Sequence, residues 1–142
     1  MIPKIIHYCW FGRNPLPPLA QECIASWRKY LPDYEIKEWN EDNFDVNAIP
    51  YTAEAYRQKK YAFVSDYARF WIMYHYGGLY FDTDVEVIRP LDDIIAAGNF
   101  MGFEIGVGIP LFYGATKARV KAAKAEREQL QIQIQQEAQQ RE

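Results

Sequence analysis

Tyr76-Gly77-Gly78-Leu79-Tyr80-Phe81-Asp82-Thr83-Asp84 is the stretch on which the reading of this chain turns. Upstream of it, residues 62–76 carry an aromatic-rich pattern predicted to be a long helix. Gly77 and Gly78 fall where that helix should end, the position at which glycine adopts a left-handed backbone at little cost. Leu79, Tyr80 and Phe81 then read as a short apolar strand. Asp82 and Asp84 follow where the chain leaves the sheet, so both carboxylates can converge on one point outside it. Open α/β sheets bind ligands at that edge. Two hard oxygen ligands suit Mg²⁺ or Mn²⁺, which keep other positions for water and phosphate oxygens. A cation there neutralises a diphosphate and stabilises it as a leaving group. Asp-x-Asp alone also reads as a polar turn between strands; the glycines and the apolar strand ahead of it favour the metal site.

Working outward, residues 4–9 are predicted to be a buried first strand, and the Gly/Pro-rich segment 12–18 to break it as a loop. Residues 19–30 place Leu19, Cys23 and Trp27 at helical spacing, and Pro32-Asp33 ends that helix. Residues 34–39 alternate as a second strand, 40–50 are polar and irregular, and 52–60 read as a short helix. Beyond the acidic pair, residues 85–88 are predicted to continue as a strand, 91–97 as a short helix and 100–104 as a further strand. From Ala115 onward Ala, Lys, Glu and Gln take over and aromatics vanish, giving high helix propensity with a thin apolar stripe. The expected organisation is one α/β domain over residues 1–114 and a polar helical tail over 115–142, solvated or frayed, with self-association through the tail as a further option.

The 142 residues suffice for one domain with a real core. The aromatic content of 16%, with 11 Tyr and 4 Trp, serves both core filling and stacking on sugars or bases. A net charge of −3 and a pI near 5.4 argue against nucleic-acid binding, which needs basic patches. Cys9 and Cys23 form no metal or redox motif and suggest a reducing compartment. No signal-peptide pattern and no membrane-length apolar run is present, so the expectation is a soluble cytoplasmic protein, free or peripheral at the inner membrane face.

Three stretches in order, Ile2-Pro3-Lys4-Ile5-Ile6-His7-Tyr8-Cys9-Trp10-Phe11-Gly12, Ala62-Phe63-Val64-Ser65-Asp66-Tyr67-Ala68-Arg69 and the opening nonapeptide, carry a resemblance. The chain is similar to glycosyltransferases whose sugar-binding region contains a DXD motif, family 32 in the usual classification, from residue 2 to about residue 104. That family includes capsular-polysaccharide transferases and yeast mannosyltransferases. The resemblance implies a GT-A fold, a Rossmann-type mixed sheet flanked by helices, and a nucleotide-diphosphate sugar donor, with a UDP-sugar favoured. It also implies a glycan acceptor such as a capsule or other surface glycan, Mn²⁺ or Mg²⁺ as cofactor, and retention of anomeric configuration. Residues 105–115 resemble the next strand of the family; the tail matches nothing in it.

The resemblance assigns metal binding to Asp82 and Asp84, sugar binding to Asp66 and Arg69 beside Ser65, base stacking to Trp10, and backbone contact with the base to Cys9. Tyr80 and Tyr61 match donor-lining positions. From the residues alone, Asp66 and Arg69 are equally an i,i+3 surface ion pair, Trp10 and Tyr80 are core or strand residues, and His7 and His75 are structural. Two other functions stay open. One is a non-catalytic or truncated nucleotide-sugar-binding module, because the chain is short beside such transferases. The other is a Mg²⁺-dependent phosphatase of the haloacid dehalogenase type, in which an apolar strand also leads into Asp-x-Asp.

Overall fold

A computed structural model describes residues 1–103 and 110–115 of the chain. The tail expected from residue 115 lies, Ala115 excepted, outside the described residues. The elements are β1 (Ile5–Cys9), α1 (Pro18–Tyr30), β2 (Glu35–Trp39), α2 (Pro50–Arg57), α3 (Tyr61–Tyr76), β3 (Gly78–Phe81), α4 (Asp92–Ala96), β4 (Phe100–Phe103) and β5 (Pro110–Ala115). They form a five-stranded sheet in the order β2-β1-β3-β5-β4. β1 pairs in parallel with both β2 and β3, while β5 runs antiparallel between β3 and β4. The expected mixed α/β sheet is therefore present. Among the described residues no helix is long and apolar enough to cross a membrane.

Strand periodicity sorts the core into two layers. Ile6, Tyr8, Leu79 and Phe81 face α1 and pack with its Cys23, Ile24 and Trp27. Cys9 and Tyr80 face the other way, with Val64, Ala68 and Ile72 of α3 at spacings of four. Both faces are covered, which is why β1 and β3 read as continuous apolar runs. Trp27 sets its indole edge-on to Tyr8 and Phe81, with ring centroids 5.7 and 5.3 Å away.

Gly78 carries a geometric demand. Its φ is +96°, and a Cβ there would lie 2.7 Å from the Ile5 carbonyl oxygen. Only glycine lets β3 start this close to β1, immediately after the α3 terminus.

Residues 85–88 correct the sequence expectation: they form no strand. Side chains of α1 take their backbone groups instead. Val85 O accepts from Trp27 Nε1 at 2.7 Å, and Val87 N donates to Ser26 Oγ at 2.9 Å. A helix replaces a neighbouring strand as hydrogen-bond partner, which periodicity alone does not reveal. Trp27→Phe, which strips the indole donor and leaves a void in a fully buried site, should cost roughly 2–4 kcal/mol in urea denaturation, from the orphaned Val85 carbonyl and the lost packing together. An unchanged midpoint would show that this bond is dispensable.

Candidate functional site

β1 is followed through α1 by β2 on one side, whereas β3, reached through α2 and α3, lies on its other side. The carboxyl ends of β1 and β3 thus diverge at a topological switch point, where open α/β sheets leave a crevice. Ile6 pairs with Leu79 and His7 with Tyr80; two residues further on, the register sets Cys9 opposite Asp82. The residues that follow each strand, Trp10 and Asp82, therefore open onto the same space. A cleft of about 400 Å³ occupies it, lined by Cys9, Trp10, Phe11, Asn14, Tyr61, Ala62, Ser65, Arg69, Tyr80, Asp82, Thr83 and Asp84.

Of the residues singled out in the sequence, Asp82, Asp84, Arg69, Ser65, Tyr61, Trp10, Cys9 and Tyr80 all border this cleft. Tyr61, Ser65 and Arg69 recur every four residues on α3 and so present one face to it. Asp66 is not part of the lining. It lies beside the cleft, exposed, with its carboxylate paired to Arg69 Nη2. Arg69 is nearly buried and also reaches Asp82 Oδ2 at 3.7 Å through Nη1, its guanidinium 5.6 Å from the Tyr80 ring centroid. Tyr80 is itself sealed in the core and hydrogen-bonds the Cys9 sulfur. Burial raises the Cys9 thiol to about 12, so it is no nucleophile. These two residues form the floor that holds Arg69 at its height.

The acidic pair carries an excess of negative charge. Burial pushes Asp82 up, Arg69 pulls it down, and Asp84 and Asp66 push it up again; the result is about 6. A carboxylate that one guanidinium leaves so far above its ordinary 3.8 is suited to a cation. Asp84 is exposed and free of that burial. Among the described residues no group of three or more His, Cys, Asp or Glu side chains gathers to hold a metal. Asp82 and Asp84 would thus be the protein ligands, leaving further positions to phosphate oxygens and water, as hard divalent cations accept.

Trp10 stands one residue past β1, its backbone N bonded to Trp39 O at 2.8 Å and its indole N–H to Asn14 O at 2.7 Å. One indole edge is thereby fixed within its own loop. Phe11, Asn14, Ala62 and Thr83 were not singled out in the sequence. Ala62 is legible as the helical neighbour of Ser65 and Arg69, and Thr83 as the residue between the two acids. Phe11 and Asn14 lie in a loop whose composition announces only irregularity.

The family model for the glycosyltransferase sugar-binding region containing DXD motif matches residues 17–101. The chain belongs to this family. Inositol phosphoceramide mannosyltransferase 3 of Schizosaccharomyces pombe is 34% identical over 122 residues, covering 74% of this chain and 34% of that protein. Inositol phosphoceramide mannosyltransferase 1 of the same yeast is 27% identical over 111 residues, covering 70% of this chain and 33% of that protein. The chain thus spans about a third of the length of these curated relatives. A solved structure, PaToxG Glycosyltransferase, superposes with a TM-score of 0.61 at 17% identity, over 82% of this chain and 56% of that one. At that identity the likeness speaks to the fold, and the expected GT-A-like sheet flanked by helices is the fold found. The family match leaves the phosphatase alternative without support. Neither of these two relatives is named for capsular polysaccharide synthesis; both are named as mannosyltransferases.

Proposed function

We propose that the protein is the donor-binding part of a metal-dependent glycosyltransferase that moves a sugar, with retention, from a nucleotide diphosphate to a glycan or glycolipid acceptor. The observation that carries this is the meeting of Asp82, Asp84, Arg69 and Trp10 on one cleft at the switch point. Trp10 presents a flat face for a base. Asp82 and Asp84 would hold Mn²⁺ or Mg²⁺, which supplies Lewis-acid stabilisation of the departing diphosphate. Arg69 donates to sugar hydroxyls or phosphate, and Asp66 fixes its fork from the side.

Retention is carried over from the family resemblance; with no activated nucleophile among the described side chains bordering the cleft beyond the two acids assigned to the cation, it would proceed without a covalent intermediate. The sugar then accepts attack on the face the diphosphate leaves, with the leaving phosphate taking the acceptor proton. Donor sugar and acceptor follow the relatives' names: mannose, and a phosphoinositol lipid in preference to the capsule glycan. The UDP preference inferred from the sequence stands as one arm of the test. Isothermal titration with UDP and GDP, each with Mn²⁺ and with EDTA, should give binding that requires the metal. Absence of heat with every combination would sink the reading. Incubation with labelled nucleotide sugars and a phosphoinositol lipid separates a transferase from a binding module: labelled lipid marks the former, binding without product the latter.

A further inference from the structure

The 10–14 loop supplies Trp10, Phe11 and Asn14 to the cleft yet belongs to no strand or helix. Its backbone is unusual, with φ of +98° at Gly12 and +60° at Arg13. Gly12 is pressed on the Tyr61 ring, where a Cβ would stand 2.4 Å from the nearest ring carbon. What anchors this loop is Glu41, in the segment after β2. Glu41 Oε1 accepts the Gly12 N–H at 2.5 Å and the Tyr56 hydroxyl at 3.0 Å. Tyr56 in turn packs on Tyr61, ring centroids 5.5 Å apart. One carboxylate oxygen therefore ties the loop to α2 and, through the two tyrosines, to the start of α3. Burial pushes Glu41 up, but the Gly12 amide, its own amide, the Tyr56 hydroxyl and Arg13 more than offset this and hold it below the ordinary carboxylate range. It is a charged acceptor throughout the neutral range, and such bonds exceed neutral ones in strength. Arg13 and Asp42 add a second tether at 2.7 Å, but both are exposed.

The geometry points to Glu41 as a positioning residue: its carboxylate holds the 10–14 loop so that Trp10 faces the nucleotide. Glu41 does not border the cleft, so it acts only through that loop, and the inference rests on the nucleotide-binding reading above. A conformationally costly loop held by a part-buried charged bond is pre-organised, and pre-organisation shows in affinity.

Two measurements on the full chain test this. In an amide NMR spectrum without nucleotide, Glu41→Ala should move the Gly12 amide proton upfield and displace the Trp10 indole N–H resonance. Glu41→Gln, which keeps a weaker neutral acceptor, should give intermediate shifts. Titration with UDP and Mn²⁺ should then show Kd raised roughly tenfold in Glu41→Ala and about threefold or less in Glu41→Gln. Trp10 signals unmoved by Glu41→Ala overturn the inference whether or not nucleotide binds, as does a Kd unchanged while they move. A wild-type chain that binds no nucleotide, in which Glu41→Ala still displaces Trp10, removes the functional reading and leaves the anchoring of the loop intact. If Glu41→Ala does not fold, Tyr56→Phe serves: freeing Oε1 for Gly12 alone should move the Gly12 amide downfield. Unchanged Gly12 signals in both Tyr56→Phe and Glu41→Gln would discard the anchor.

Discussion

Asp84→Ala should weaken nucleotide binding in Mn²⁺ by about a hundredfold or more while leaving the fold alone, and should bring wild-type affinity down to the value seen in EDTA. The magnitude follows from the site. Among the described residues no group of three or more His, Cys, Asp or Glu side chains gathers to hold a metal, so a cation held by the acidic pair would rest on two protein ligands. Removing one halves the protein's hold. Unit charges about 4 Å apart attract by roughly 4 kcal/mol at an effective dielectric of 20, and about 2.7 kcal/mol already gives a hundredfold. Asp84 is also the exposed member of the pair, so its loss opens no cavity, and the melting temperature of the nucleotide-free chain should move little. Asp82→Asn should produce the same loss of metal dependence but a different thermal result. Asp82 is half-buried, and burial is the first cause of its rise to about 6. A neutral amide of the same shape removes that cost, so the ligand-free protein should hold or gain stability as binding falls. Stability and function would trade at this position, as expected of a charge kept desolvated for a ligand. Nucleotide affinity in Mn²⁺ that Asp84→Ala leaves untouched would remove the metal from the account.

How much of this was legible beforehand depends on where each hydrogen-bond partner comes from. β1, α1, α3 and β3 were visible because their signals are local: apolar runs of strand length, a four-residue stripe, a glycine pair at a helix end. The position of Asp82 and Asp84 at the sheet edge is legible for the same reason, one directly after β3 and the other two residues on, whereas the role of Trp10 comes from the family resemblance. The segment 85–88 was misread because its partners, Ser26 and Trp27, lie about 60 residues away on a helix. For Asp66 the i,i+3 relation to Arg69 announces only an ion pair, which is present; its sugar-binding role comes from the family resemblance, and its side chain stands beside the cleft lining rather than in it. Glu41 was passed over as one acid in a polar stretch. Nothing in residues 40–50 says that a carboxylate there will find the Gly12 amide 29 positions upstream. Short-range patterns thus disclosed the elements and the ends that bear chemistry, while side chains that brace loops from a distance stayed hidden.

Lowering the pH from 7.5 to 4.5 should cost the wild-type protein roughly 2–3 kcal/mol of stability relative to a His7→Gln variant, because His7 is built to be neutral. The tautomer follows from its neighbours. Trp39 Nε1–H can only donate, and it lies 3.0 Å from His7 Nδ1, so Nδ1 must accept. The ring proton then sits on Nε2, which donates to Gly77 O at 2.9 Å. A second proton would confront the Trp39 N–H in a fully buried site. Burial is the main cause that lowers the histidine from 6.5 to about 4; the Gly77 bond raises it somewhat and Lys37 lowers it. With the folded value below the unfolded one, the unfolded chain binds more protons between those two values. The stabilisation is complete above pH 6.5 and drains away as pH falls toward 4. Asp82 works with the opposite sign over an overlapping range, its folded value being raised from 3.8 to about 6. The contrast with His7→Gln isolates the histidine, since Asp82 titrates in both proteins. Urea titrations at half-unit pH steps would supply the two curves; parallel curves would show that His7 does not govern the acid limb.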